Sequence, residues 1–164
     1  MSFTLKNLLL TGLFLAYFLF ISSKMRTGLT FGEVVGFELI FTKNKAEIRL
    51  AEWQLAKVES GQTKLAAMEA NTRYDFLYII GYVFMGIFLA RVAAGEGRIA
   101  NAKIIGWLLV IAGCCDVVEN FQILSILNGN IGSLRPMVMS VCASVKFLLL
   151  VGSLSWAVVL FAKR

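Results

Sequence analysis

Three ionisable side chains stand deep inside long apolar runs of this 164-residue chain: Asp116, Glu119 and Lys146. Each such group costs roughly 2.5–3.5 kcal/mol at a bilayer-centred helix position on insertion scales, so it marks a polar network, a ligand or ion site, or a proton path. Asp116, Glu119 and Asn120 are spaced i, i+3, i+4 and share one helix face. Ala112 and Gly113 continue that face one turn earlier, where small side chains admit a neighbouring helix. Counted back from Leu127, Glu119 lies eight residues in and Asp116 eleven, while Lys146 lies nine past Met137. At ~1.5 Å per residue, an antiparallel hairpin then sets Lys146 between the levels of the two carboxylates.

A further segment enters from the same side and brings Asp75, Tyr78 and Tyr82, spaced i, i+3, i+7. Tyr82 reaches a depth near Asn120, and Asp75 lies nearer the interface. Tyr17 of the first apolar run is about five residues from the same surface, by the helical rise. The expectation is a polar pocket inside a bundle, open towards the non-cytoplasmic half. Its candidate ligand- or ion-binding residues are Asp75, Tyr78, Tyr82, Asp116, Glu119, Asn120 and Lys146. Asp116 and Glu119 against Lys146 leave one negative charge, and Asp75 makes two. Protonation of one carboxyl, a bound cation or a cationic headgroup would resolve the imbalance. Three roles stay open: a structural network that locks the bundle register, a lipid, ligand or ion site, or an acid–base site. In the last, a protonated Glu119 would be the acid, Asp116 the base and Lys146 an electrostatic stabiliser.

The elements that must position these groups are helices in a bilayer. Hydrophobic residues make up 59% of the chain and charged residues 16%, against about 45–50% and 25% in soluble domains. One Pro accompanies this composition, which excludes a disordered tail, a collagen-like fibre and an ordinary cytosolic enzyme. Four spans are expected, at about 5–22, 74–92, 104–127 and 137–162, in a single all-α membrane domain covering 1–164. The first has only fourteen uncharged residues, Leu8 to Ile21, extended at the front by Phe3 to Leu5 with Lys6 snorkelling. No clear small-x-small cleavage site follows Ser22 and Ser23, so a retained helix rather than a signal peptide is expected. Asn, Gly and Pro punctuate the turn at 128–136.

Between spans one and two, residues 31–73 form an amphipathic extramembrane segment. FGEVVGFELIF at 31–41 is too short and too charged to span and is assigned to the interface. From about 45 to 73 a single amphipathic helix is expected, with Ile48, Leu55, Val58 and Leu65 on one stripe. It would pack on the bundle or the headgroups, or serve as a stalk for a protein partner.

The counts exclude much chemistry. There is no histidine, which removes a His-ligated haem, a typical zinc active site and any imidazole base. Cys114, Cys115 and Cys142 form no C-x-x-C pair and read as small apolar filler. No metal or cofactor is expected. The net charge of +6 comes mostly from residues flanking apolar runs, which suits anionic lipid rather than nucleic acid. Lys6, Arg91, Arg98, Lys103, Lys163 and Arg164 fall on one side and Arg135 on the other, which favours cytoplasmic termini. The first loop disagrees, with Lys24, Arg26, Lys43, Lys45, Arg49, Lys57, Lys64 and Arg73.

FELIFT at 37–42, Trp53, YDFLYIIGY at 74–82, CDVVENFQIL at 115–124 and SVKFLL at 144–149 together resemble a family of small four-span bacterial membrane proteins of uncharacterised function. The D-x-x-E-N element with a later K-F pair is the most specific part, and the match covers roughly residues 37–150. The resemblance implies a multi-pass protein of the bacterial cytoplasmic (inner) membrane, with Asp75, Asp116, Glu119, Asn120 and Lys146 at the family's polar positions. It supplies no activity, substrate or cofactor. The leading expectation is a non-enzymatic protein that binds a lipid or small ligand, or acts as an accessory subunit. The alternatives are a membrane enzyme acting on a lipid-like substrate and proton- or cation-coupled transport.

Overall fold

The computed structural model describes the backbone of residues 3–162 and the side chains of residues 8–162 apart from Glu96. The flanking cations Lys6, Lys163 and Arg164 lie outside the described side chains. Six α-helices follow one another: α1 (Phe3–Lys24), α2 (Phe31–Glu38), α3 (Lys43–Leu55), α4 (Lys64–Ala94), α5 (Ile99–Leu127) and α6 (Arg135–Ala162). The fold is all-α, and α4, α5 and α6 are each long and apolar enough to cross a membrane.

α5 is the central helix, packed along both α4 and α6. Its buried positions include Ala102, Ile105, Leu109, Ala112, Asp116, Glu119, Ile123 and Ile126, which alternate steps of three and four. This is the seam of a helix held between two neighbours. The approach to α4 is close: a Cβ on Gly113 would sit 2.9 Å from Val83 Cγ2, so a larger residue there would push the helices apart. α1 runs antiparallel to α4. Tyr17 donates its hydroxyl to the Leu77 carbonyl at 2.6 Å, and the Phe14 and Phe88 rings lie 6.0 Å apart. The outward residues are apolar, among them Ile80, Phe84, Trp107, Phe121, Leu148, Val151 and Leu154. Charges inside and hydrocarbon outside suit a lipid solvent.

The segment between α1 and α4 departs from expectation. The single helix at about 45–73 does not form. α3 ends at Leu55 and Ala56 turns extended. A tight turn follows, closed by the Val58 amide to the Gln62 carbonyl and the Lys64 amide to the Ala56 carbonyl. Gly61 takes a positive φ of 85°, which a glycine adopts without a side-chain clash. Thr63 then caps α4 by accepting from the Ala66 amide. The helix that contains the expected second span therefore starts at Lys64, ten residues before Tyr74. The proposed stripe is dispersed as a result: Ile48 and Leu55 are exposed, Val58 is buried in the turn, and Leu65 belongs to α4.

α2 and α3 fold over the end of the bundle where α4 begins and α5 ends. Phe37 stacks on Trp53 at 5.2 Å, and both pack on Met68, Ile123, Ile126 and Met139. A capping box starts α2: Glu33 donates its amide to Thr30 Oγ1, and its carboxylate accepts from the Thr30 amide at 2.8 Å. Glu33 also pairs with Lys64, tying α2 to the start of α4.

That tie sets an expected pH dependence. The Lys64 ammonium and the Thr30 amide hold the Glu33 carboxyl down at about 2, below its ordinary value of 4.5. A depressed carboxyl stabilises the fold above its unfolded value, and the contribution is lost as pH falls from about 4.5 through about 2. Glu33→Gln should cost about 0.5–1 kcal/mol at pH 7 and flatten the stability profile across that window. Denaturant titration read by Trp53 fluorescence, with Trp107 and Trp156 changed to Phe, measures both. An unaltered acid profile in the variant would remove Glu33 as the cause.

Candidate ligand-binding site

The polar stretch of the α5 seam meets α6 at Lys146. Met139, Ser140, Ala143 and Lys146 make one buried face of α6, and Asp116, Glu119 and Asn120 make the facing part of α5. Lys146 Nζ donates to Asp116 Oδ1 at 2.8 Å. It also stands 2.9 Å from Glu119 Oε2, a charge contact without hydrogen-bond alignment, because neither Glu119 oxygen has a donor among the described residues. Tyr82 donates its hydroxyl to Asp116 Oδ2 at 3.1 Å. Asn120 Nδ2 donates to Asp75 Oδ2 at 2.8 Å. Tyr78 meets Phe18 edge-on at 5.1 Å and lies 6.2 Å from the Tyr82 ring. All seven candidate residues thus fall in one region at the junction of α4, α5 and α6.

One further residue joins the cluster without being among the seven candidates. The interface expected for 31–41 does not hold Glu38, which is 7% exposed with its Oε2 3.6 Å from Lys146 Nζ. The short helix α2 carries it inward. Ser140 Oγ donates to the Glu38 carbonyl at 2.9 Å, which satisfies a C-terminal backbone group of α2 and pins that end against α6. Burial pushes the Glu38 carboxyl above the usual carboxylate range, Lys146 pulls it back, and Asp116 raises it further. An acid inside an eleven-residue apolar run was the available signal. Its depth could not be counted because α2 is too short to span.

A cavity of about 360 Å³ opens beside this cluster. Glu38, Asp75, Tyr78, Tyr82, Asp116, Asn120 and Lys146 form its polar end, and Leu29, Phe31, Val34, Phe147 and Leu150 form much of its apolar wall. Phe31, Val34, Val35 and Glu38 lie at i, i+3, i+4, i+7, so one face of α2 supplies a whole side of the cavity. Glu119 is fully buried behind the wall rather than on it, and Tyr17 positions α1 without lining the cavity. Cys114, Cys115 and Cys142 are free thiols. Among the described residues no group of three or more His, Cys, Asp or Glu side chains is arranged to hold a metal ion.

No family model, no curated protein and no solved structure matches the chain.

The cluster holds one cation against three nearby carboxyls: Glu38, Asp116 and Glu119. Removing one partner of a buried pair costs about 3–5 kcal/mol, because the charge left behind stays buried without compensation. Lys146→Met is therefore expected to destabilise by that order, and Asp116→Asn, which keeps one acceptor oxygen for Lys146 and presents an NH2 that the Tyr82 hydroxyl can accept from, by less. Unfolding in mixed micelles checks this. Unchanged melting in Lys146→Met, Asp116→Asn and Glu119→Gln together would rule out a structural contribution from the cluster.

Proposed function

We propose that the chain is a four-span protein of the bacterial cytoplasmic membrane that binds a lipid or other amphiphile in the α2-covered cavity without catalysing a reaction. The observation that carries this reading is the cavity's two-ended wall, polar against α4, α5 and α6 and apolar along α2 and α6. Small-molecule sites combine an apolar lining with a few placed polar groups, and a membrane-borne ligand has the same division.

In this reading α1 is the fourth span. Its 22 residues rise roughly 33 Å, enough for a hydrocarbon core of about 30 Å. The termini and the α4–α5 loop, with Arg91, Arg98 and Lys103, lie on the cytoplasmic side, and the cavity end faces away from it. Membership in the four-span family suggested by the D-x-x-E-N element belongs to the same reading. An accessory-subunit role would use the exposed side of α3, where Ile48 and Leu55 face outward. Acid–base chemistry has weaker support, since Glu119 lies behind the wall and Asp116 is held by both Tyr82 and Lys146. Ion-coupled transport draws only on the buried acids beside Lys146, and no Pro-broken helix accompanies them.

Gentle detergent extraction followed by native mass spectrometry tests the proposal. The wild-type protein should carry a bound amphiphile at one per chain. Leu150→Trp, which fills the apolar side, should lower that occupancy about tenfold, or ~1.4 kcal/mol, while melting stays within a few degrees. A wild-type protein that carries no amphiphile, or a filled cavity that retains full occupancy, would refute it.

A further inference from the structure

We infer that the polar end of the cavity takes a protonated primary amine, the ammonium group of a ligand whose apolar part lies along α2. The inference rests on the binding cavity proposed above and names the chemistry of its polar end.

Charge is the first argument. Three carboxyl side chains, Glu38, Asp75 and Asp116, line the cavity against a single ammonium, Lys146. Lys146 is already committed at 2.8 Å to Asp116 and 2.9 Å to Glu119, and Glu38 stands farther off at 3.6 Å. Asp75 accepts from the neutral amide of Asn120, and no Lys or Arg among the described residues approaches it within ion-pair distance. The wall therefore has acids in excess of cations, and a bound cation would offset that imbalance.

Hydrogen-bond capacity is the second and independent argument. Glu38 is more than nine-tenths buried and lines the cavity, and its Oε2, though 3.6 Å from Lys146 Nζ, accepts no hydrogen bond among the described residues. A buried acceptor in that state favours a ligand that brings its own N–H groups, and a primary ammonium brings three. Three of the wall's donors already serve its acids: Tyr82 and Lys146 donate to Asp116, and Asn120 donates to Asp75. The remaining polar groups of the wall, among them the Ser22 and Tyr78 hydroxyls and the Asn71 amide, are neutral, so the only charge available to a ligand beyond Lys146 is that of the acids.

Aromatic faces are the third. Tyr78 and Tyr82 lie one turn apart on the helix that carries Asp75, with their rings 6.2 Å apart, and Phe147 already faces the Lys146 ammonium at 5.0 Å. Carboxylates set among aromatic rings are the surroundings in which ammonium ions bind well.

The test uses the whole protein in an uncharged maltoside micelle at pH 7, with dodecylamine, dodecanol, dodecanoate and butylamine as probes. Occupancy by native mass spectrometry and the shift in melting temperature are the readouts. Dodecylamine should bind at least about tenfold tighter than dodecanol, and dodecanoate weakest of the three. Asp75→Asn and Glu38→Gln should each bring the amine-to-alcohol ratio towards one. Should either variant fail to fold, the comparison of ligands on the wild-type protein decides alone. Equal binding of amine and alcohol, or tighter binding of dodecanoate, would overturn the inference and leave the amphiphile reading standing. Butylamine binding as tightly as dodecylamine would support the ammonium site and overturn the amphiphile reading. Binding of none of the four would overturn both.

Discussion

One ammonium group organises this bundle. Lys146 Nζ reaches Asp116 and Glu119 on α5 and Glu38 on α2, so a single side chain of α6 sets the rotation of two other helices about their axes. In a lipid solvent this matters more than in water. Outward leucines and valines gain little by leaving lipid for a helix interface, so association draws on close packing and on polar groups that find partners only inside. A turn of α6 by one residue would aim the ammonium away from all three acids. The same move would bring a charge towards hydrocarbon, at several times the worth of an exposed ion pair.

Close approach is the second condition. The carboxylates of α5 reach their partners because the seam beside them is made of small residues. Ala112 is fully buried and Gly113 lies against Val83, so α4 comes near enough for Tyr82 to donate to Asp116 and for Asp75 to accept from Asn120. Packing and the polar network support one another here. The glycine contributes no polar contact of its own, yet it governs the spacing across which two are made.

The α2–α3 segment turns an open helix bundle into one with a walled cavity. Three attachments of different kinds hold α2 in place. Thr30 and Glu33 start the helix, Lys64 ties Glu33 to α4, and Ser140 binds the carbonyl at its far end. Beneath them Phe37 and Trp53 stack in an apolar cluster. The surface ion pair is worth little by itself, and burial of two aromatic rings outweighs it. Apolar packing therefore supplies most of the docking energy, while the polar contacts set the angle at which Glu38 enters.

Local pattern was enough for the long helices and for much of the cluster. Hydrophobic runs of bilayer length marked the three helices long and apolar enough to cross a membrane, and the regular rise of a helix let the depths of Asp116, Glu119 and Lys146 be compared across a hairpin. Asp75, Tyr78 and Tyr82 followed from the same spacing. The rule failed where chain geometry is not periodic. Residues 45–73 contain no Pro and many helix-forming side chains, but Gly61 and Thr63 broke them into a turn and a new cap, closed by contacts within residues 56–64. Glu38 stood in a helix of eight residues, too short to have a depth of its own. Its position came from Phe37 docking on Trp53 and from Ser140 across the bundle, partners distant in sequence. Periodicity reports which face of a helix is apolar, and it carries no information about where a short helix lands. That landing decided the composition of the cavity wall, and it followed from tertiary packing.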